Sequence, residues 1–200
     1  VEKDTREKLM ETGERLFSEK GLSGVSIREL AREAGANSAL ISYHFGSKEG
    51  LYSAILEKQF SPINALLDSV SGTEISPTEK ILTYARCVAK VHGTVPFLTK
   101  FLIGEIINPS RFFEPFIQKY IHRIYNFLVE TLREGIRCGE FRKNIDVNTA
   151  ALALAGMMNF YFITRPISQR FVPGDSEQDK EFVMKAVEIF LNGVANYGNE

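Results

Sequence analysis

Residues 26–52 read SIRELAREAGANSALISYHFGSKEGLY, and this stretch decides the fold. Ser26 and Glu29 have the spacing of a capping box: the Ser26 hydroxyl accepts from the Glu29 amide, and the Glu29 carboxylate accepts from the Ser26 amide. Ile27, Leu30, Ala31 and Ala34 recur at i, i+3, i+4 and i+7, which is one face of a helix. Arg28, Glu29, Arg32 and Glu33 fall on its other faces. Gly35 ends that helix, because a left-handed residue at the C-terminus costs glycine least. Asn37 or Ser38 caps the next helix. Its apolar stripe is Leu40, Ile41 and Phe45, which leaves Ser38, Ala39, Ser42 and Tyr43 facing outward.

Two helices around a short glycine turn are the pattern of a helix-turn-helix. The second helix of that motif enters the major groove, and its N-terminal residues meet base edges. Small side chains let the backbone approach DNA, serine hydroxyls bond several bases, and an alanine methyl can touch thymine. Tyrosine and helix-start amides commonly bind phosphate. A plain hairpin in a helical bundle shares the helix–Gly–helix outline. It does not require cap, stripe, turn and outward small polar residues to agree.

The stretch resembles the N-terminal domain of the TetR family of transcriptional regulators. The resemblance begins at TREKLMETGERLFSEKG (Thr5–Gly21), where Leu9, Gly13, Leu16 and Phe17 keep one helical face. It is most specific at Tyr43-His44-Phe45 and Ser47-Lys48-Glu49, and it fades after about residue 55. It implies that helix 26–34 supports a recognition helix at 38–44. It also implies groove or phosphate contacts from Ser26, Arg28, Tyr43, His44 and Lys48, base-facing Ser38, Ala39 and Ser42, and a core Phe45. His44 has two readings, phosphate contact or packing on the first helix. Gly13 departs from the family's usual alanine, at about 1 kcal/mol of helix stability.

The chain has 200 residues, 44% hydrophobic, with 15 Phe and no Trp, enough for one or two small domains. Net charge is −1, and residues 1–60 hold nine Lys/Arg against ten Asp/Glu, so any basic patch must be local. Modest non-specific DNA affinity is therefore expected. Cys87 and Cys138 lack metal or redox spacing and read as buried or idle thiols. No apolar run approaches a membrane span, and the first residues lack the apolar segment of a signal peptide. A soluble, cytoplasmic protein is expected, without cofactor or metal.

The expected fold class is all-α, with about nine helices: a three-helix helix-turn-helix DNA-binding domain over 1–55 and a helical ligand-binding and dimerisation domain over 56–200. A helix opened by Ser47 continues through Ile63 and Leu67, with a kink or restart at Pro62; this is the natural junction. Ser69–Pro77 reads as a polar loop. Helices follow at Ile81–His92, Pro96–Asn108, Phe112–Phe141 (long, possible bend), Asp146–Thr164 and Lys180–Tyr197, with Arg165–Asp179 as a long surface loop. The last two helices are apolar over much of their circumference. They predict a homodimer in which two helices from each subunit form a four-helix bundle. Such a dimer suits an operator made of inverted half-sites in double-stranded DNA.

The resemblance implies an effector pocket in the C-terminal part. Tyr84, Phe97, Phe101, Phe116, Tyr120, Tyr125, Phe160 and Phe162 are candidate lining residues for an apolar small molecule, with His92, Asn159 and Tyr161 as polar groups. For any one of these residues, a phenylalanine at helical spacing is more often core. The leading reading is a dimeric transcriptional repressor released by such a ligand. A helical carrier or adaptor with a vestigial helix-turn-helix is the alternative. An enzyme finds no support: His44, His92 and His122 are dispersed and no catalytic motif is present.

Overall fold

The computed structural model describes residues 2–70, 72–95, 97–173 and 176–196, with the side chains of 2–4, 176 and 177 excepted. Pro96, Gly174 and Tyr197, which bound or punctuate predicted segments, lie outside the described residues. Every regular element among the described residues is helical, apart from a single antiparallel bridge between Phe141 and Ala195. The chain forms two compact units: Val1–Ser61 with Val95–Pro115, and Pro62–Thr94 with Phe116–Glu200.

The first unit holds α1 (Glu2–Lys20), α2 (Ile27–Glu33), α3 (Ser38–Phe45), the start of α4 (Lys48–Val70) and α6 (Leu98–Ile107). α2 packs on α1 and α3, and α6 on α1. Leu9, Leu30, Ile41, Leu51 and Ile55 are fully enclosed, each worth about 1.5–3 kcal/mol of burial. Gly13 faces α4: a Cβ there would stand 2.8 Å from Ile55 Cδ1 and 3.2 Å from Leu51 Cδ2. The glycine lets these two helices approach closely, which accounts for the departure from alanine.

α4 runs unbroken through Pro62 rather than restarting. Proline has no N–H for the carbonyl four residues back. Here the Ser61 hydroxyl donates to that same carbonyl, Lys58 O, at 3.1 Å.

In the second unit, α5 (Pro77–Thr94) packs against α8 (His122–Cys138), α9 (Val147–Ile163) and α11 (Ser176–Val194). The helical run before α8 consists of α7 (Phe113–Phe116) and a π-helical stretch, Ile117–Ile121. The run stops at Cys138, not at Phe141, because Gly139 is left-handed (φ 85°) and turns the chain back. Phe141 then folds under α8, 2% exposed. Of the two cap candidates the sequence offers here, Asp146 and Asn148, it is Asp146 that caps α9, accepting from the Thr149 amide at 2.7 Å.

Counting the continuous run 113–138 as one, the described residues form ten helices. The one beyond the expected nine is α10 (Arg165–Ser168), inside the stretch read as surface loop. That stretch is also not all surface. Asp179 is 3% exposed; it pairs with Arg165 at 2.7 Å and accepts from the Tyr161 hydroxyl at 2.8 Å. Among the described residues no helix is long and apolar enough to cross a membrane. Of the two thiols, Cys87 is half-buried and Cys138 exposed.

Candidate nucleic-acid interface

Local sequence codes set the two helices of the motif. Ser26 caps α2, its hydroxyl accepting from the Glu29 amide at 3.1 Å. The Glu29 carboxylate takes the Lys20 ammonium at 2.6 Å. That hydrogen bond, then the Lys20 charge and the Ser26 amide, hold the carboxyl below its usual range. A second tie runs from Arg15 on α1 to Glu33 on α2 at 3.1 Å, and Arg32 joins the same carboxylate at 3.2 Å. Gly35 takes the left-handed turn position at φ 61°. Asn37 caps α3, its side chain accepting from the Ala39 amide at 2.9 Å. Leu30, Ala31 and Ile41 fill the interior of the motif. Ile27, placed on the inner face by periodicity, is 38% exposed because it is the first residue of its helix and overhangs the core.

The outward side of α3 carries Ser38, Ala39, Ser42 and Tyr43, all exposed, with Tyr43 at 72%. Ser26 and Arg28 are exposed at the start of α2. His44 is half-buried, its ring edge-on to Tyr43 at 5.0 Å and tilted against Phe45 at 6.1 Å. Phe45 is half-buried rather than core, with the Arg6 guanidinium 5.3 Å from its ring centroid.

Lys48 is engaged inside the fold as well. Its ammonium donates to the carbonyls of Leu22 and Val25, each at 2.8 Å, and so fastens the α1–α2 loop to the start of α4. Two of its three protons are spent inside the fold. No sequence pattern signals this, because the acceptors are backbone atoms more than twenty residues away.

The candidate effector residues are divided between the two units. Phe97 and Phe101 belong to the first unit and the other nine to the second. Tyr84, Phe116, Tyr120 and Phe162 are buried as core, Tyr84 against Phe127 and Phe116 against Tyr120. Tyr125 hydrogen-bonds Asn148 at an exposed position. Phe160 is 64% exposed on the outer face of α9. The structure does join His92, Asn159 and Phe162. His92 Nε2 lies 2.9 Å from Asn159 Oδ1, and its ring stacks on Phe162 at 3.9 Å. Burial lowers the His92 pKa, opposed by the Asn159 hydrogen bond and the Asp179 charge.

A second motif helix that is capped, buried on one side and serine-bearing on the other is the arrangement of a helix-turn-helix DNA reader. Residues 9–55 match the family model for bacterial regulatory proteins of the tetR family, and residues 79–190 match the C-terminal domain of the HTH-type transcriptional dual regulator CecR. The chain belongs to the TetR family of DNA-binding transcriptional regulators. It is 28% identical over 140 residues to the HTH-type transcriptional repressor NemR of Escherichia coli, covering 68% of this chain and 70% of NemR. It is 23% identical over 199 residues to the repressor KstR2 of Rhodococcus jostii, covering 97% and 93%. The match to the HTH-type transcriptional regulator YttP of Bacillus subtilis is 27% identical and spans 63% of either chain. The fold is that of the ketosteroid transcriptional regulator KstR2 of Mycobacterium tuberculosis (TM-score 0.75, 19% identity, covering 95% of this chain and 94% of that one).

Proposed function

We propose that the chain is a dimeric, cytoplasmic, non-enzymatic repressor that binds an inverted-repeat operator and is released by an apolar small molecule. Residues 1–55 act as the reader and 56–200 as the ligand-binding and dimerisation part. The observation that carries the reading is the exposed set Ser38, Ala39, Ser42 and Tyr43 on a helix whose opposite side, at Ile41, is fully buried. Ser38, Ala39 and Ser42 meet base edges. Ser26, Arg28, Tyr43, His44 and the remaining Lys48 proton meet phosphates.

The dimer forms through α9 and α11. Leu152, Phe160 and Ile163 on α9 and Ile189 on α11 are exposed large apolar residues. Positions facing Gly156 and Gly193 are open space, which lets helices of a second subunit approach. The effector acts near His92 and Asn159, a polar pair set among aromatic rings. It must bind the DNA-incompetent dimer more tightly, since a ligand without such preference shifts nothing. Coupling of about 1–3 kcal/mol is typical.

The test starts from a duplex retrieved by in vitro selection. Tyr43→Ala weakens binding to all sequences alike, whereas Ser38, Ala39 or Ser42 substitutions change sequence preference. Indifference to all four substitutions sinks the recognition-helix assignment. The balanced charge of residues 1–60 favours a second reading, a ligand carrier with a vestigial motif. Equal weak response to every duplex at low salt, with tight binding of an apolar compound, selects it.

A further inference from the structure

We infer that segment 165–173 is an exchanged arm, which seats Phe171 of each subunit in a groove of the other. The inference rests on the α9/α11 dimer proposed above and specifies what its apolar face holds. Phe171 is 80% exposed, and Ile167 and Val172 beside it are 61% and 41% exposed. A phenylalanine held in water gives up one of the larger burial energies a side chain offers. Its own chain provides a place it does not use. A groove of about 590 Å³ between α9 and α11 has walls of Phe160, Phe182 and Ile189 and begins at Val172, the next residue along.

Two-fold symmetry resolves this arrangement. In an isologous pair, residue i meets j and j meets i, so one contact is made twice and the assembly closes. Arm and groove adjoin on the face that carries Phe160 and Ile189, so a partner meeting that face brings its own arm to this groove. Charge does not oppose it: the groove lining carries one charge of each sign, Lys185 and Glu181, paired at 2.7 Å. Arg170, next to Phe171, is exposed and has no carboxylate partner among the described residues. The arm is also ordered in advance. Arg165 is held by Asp179 at 2.7 Å, and Thr164 and Ser168 share a hydroxyl hydrogen bond at 2.6 Å. A preordered anchor loses less entropy on docking.

The test uses the full chain with Cys87→Ser and Cys138→Ser as background. Dimer dissociation is read by dilution in mass photometry, and helix content by circular dichroism. Phe171→Ala weakens the dimer at least about tenfold, as expected for a central aromatic anchor. An equal mixture of Phe171→Cys and Ile189→Cys chains gives an oxidised heterodimer that neither chain forms alone. A wild-type dimer unaffected by Phe171→Ala, with no 171–189 cross-link, overturns the arm and leaves the groove to another occupant. A wild-type chain that stays monomeric even on its selected duplex overturns the dimer itself.

Discussion

Tyr52 and Glu105 offer a test of how the DNA-reading unit holds together. Both are buried, at 3% and 2% exposure. The Tyr52 hydroxyl donates to one Glu105 oxygen; the Ser110 amide and hydroxyl donate to the other, at 3.1 and 3.0 Å. Burial, then the Glu105 hydrogen bond, push the phenol pKa well up, so the hydroxyl keeps its proton. Tyr52→Phe removes a hydrogen bond to a charged acceptor and should cost about 1.5–3 kcal/mol. Glu105→Leu leaves the hydroxyl without an acceptor, at about 1–3 kcal/mol; half-exposed Ser110 regains water. The double variant leaves no orphan at Tyr52, so it should be about 1–3 kcal/mol less destabilised than the sum of the singles. Urea unfolding followed by circular dichroism gives each midpoint, with slopes compared to check that one transition is being measured. Additivity within about 0.5 kcal/mol would show that the two groups are not coupled.

Gly135→Ala should lower thermal stability, because the new Cβ would lie 2.1 Å from Phe141 Cδ2 and 2.3 Å from Cε2. Overpacking of about 1–3 kcal/mol outweighs the roughly 1 kcal/mol helix-propensity gain; an unchanged or higher melting temperature contradicts it. His92 gives a pH signature: its folded pKa is depressed, mainly by burial, so protonation favours the unfolded chain. That stability is present above the unfolded pKa of about 6.5 and is lost as pH falls from there toward the folded pKa. His92→Gln should flatten the part of the stability decline that begins near neutrality, and a profile identical to wild type is the refuting result. Operator binding should have a shallow salt dependence. With about two to three cations used per reader, the dimer's log–log slope is about −4 to −5, and Arg28→Ala should reduce it by about 2 per dimer. A slope near −10 would mean phosphate contacts from elsewhere.

What the sequence made legible was whatever its own neighbours decide. Ser26, Asn37 and Asp146 cap helices because a short side chain and an amide two or three residues on are enough. Gly35 turns because no Cβ stands in its way. The outward set on α3 follows from helical period once Ile41 is inside. The illegible features all depend on distant partners. Lys48 gives no sign in the sequence of its bonds to the carbonyls of Leu22 and Val25. Asp179 looks like the end of a loop until Arg165 and Tyr161 come beside it. For the effector residues the obstacle is different. An aromatic at helical spacing is the same whether it fills a core or borders a void, so Tyr84 and Phe116 carry no mark of their packed state.

The charge count of residues 1–60 takes on a different meaning once the pairs are placed. Nine basic residues against ten acidic ones suggested a reader with little field of its own. Lys20 with Glu29, and Arg15 and Arg32 with Glu33, show where several of those cations go. Lys20 and Arg15 bind α1 to α2, Arg32 pairs within α2, and Lys48 binds the loop between the two helices to α4. The side chains that orient the reader are therefore largely withdrawn from the phosphates. A single reader of this kind is left with Arg28, the remaining Lys48 proton, Tyr43, helix-start amides and a few short contacts, which favours weak binding at physiological salt. Joining two readers changes this, because the second binds at an effective concentration in the millimolar range without any new contact. In the proposed dimer, control of DNA binding then moves to whatever holds the two subunits together. A change on the α9/α11 face, at Phe160, Ile189 or the arm bearing Phe171, should reach the operator as strongly as a change in the reader itself.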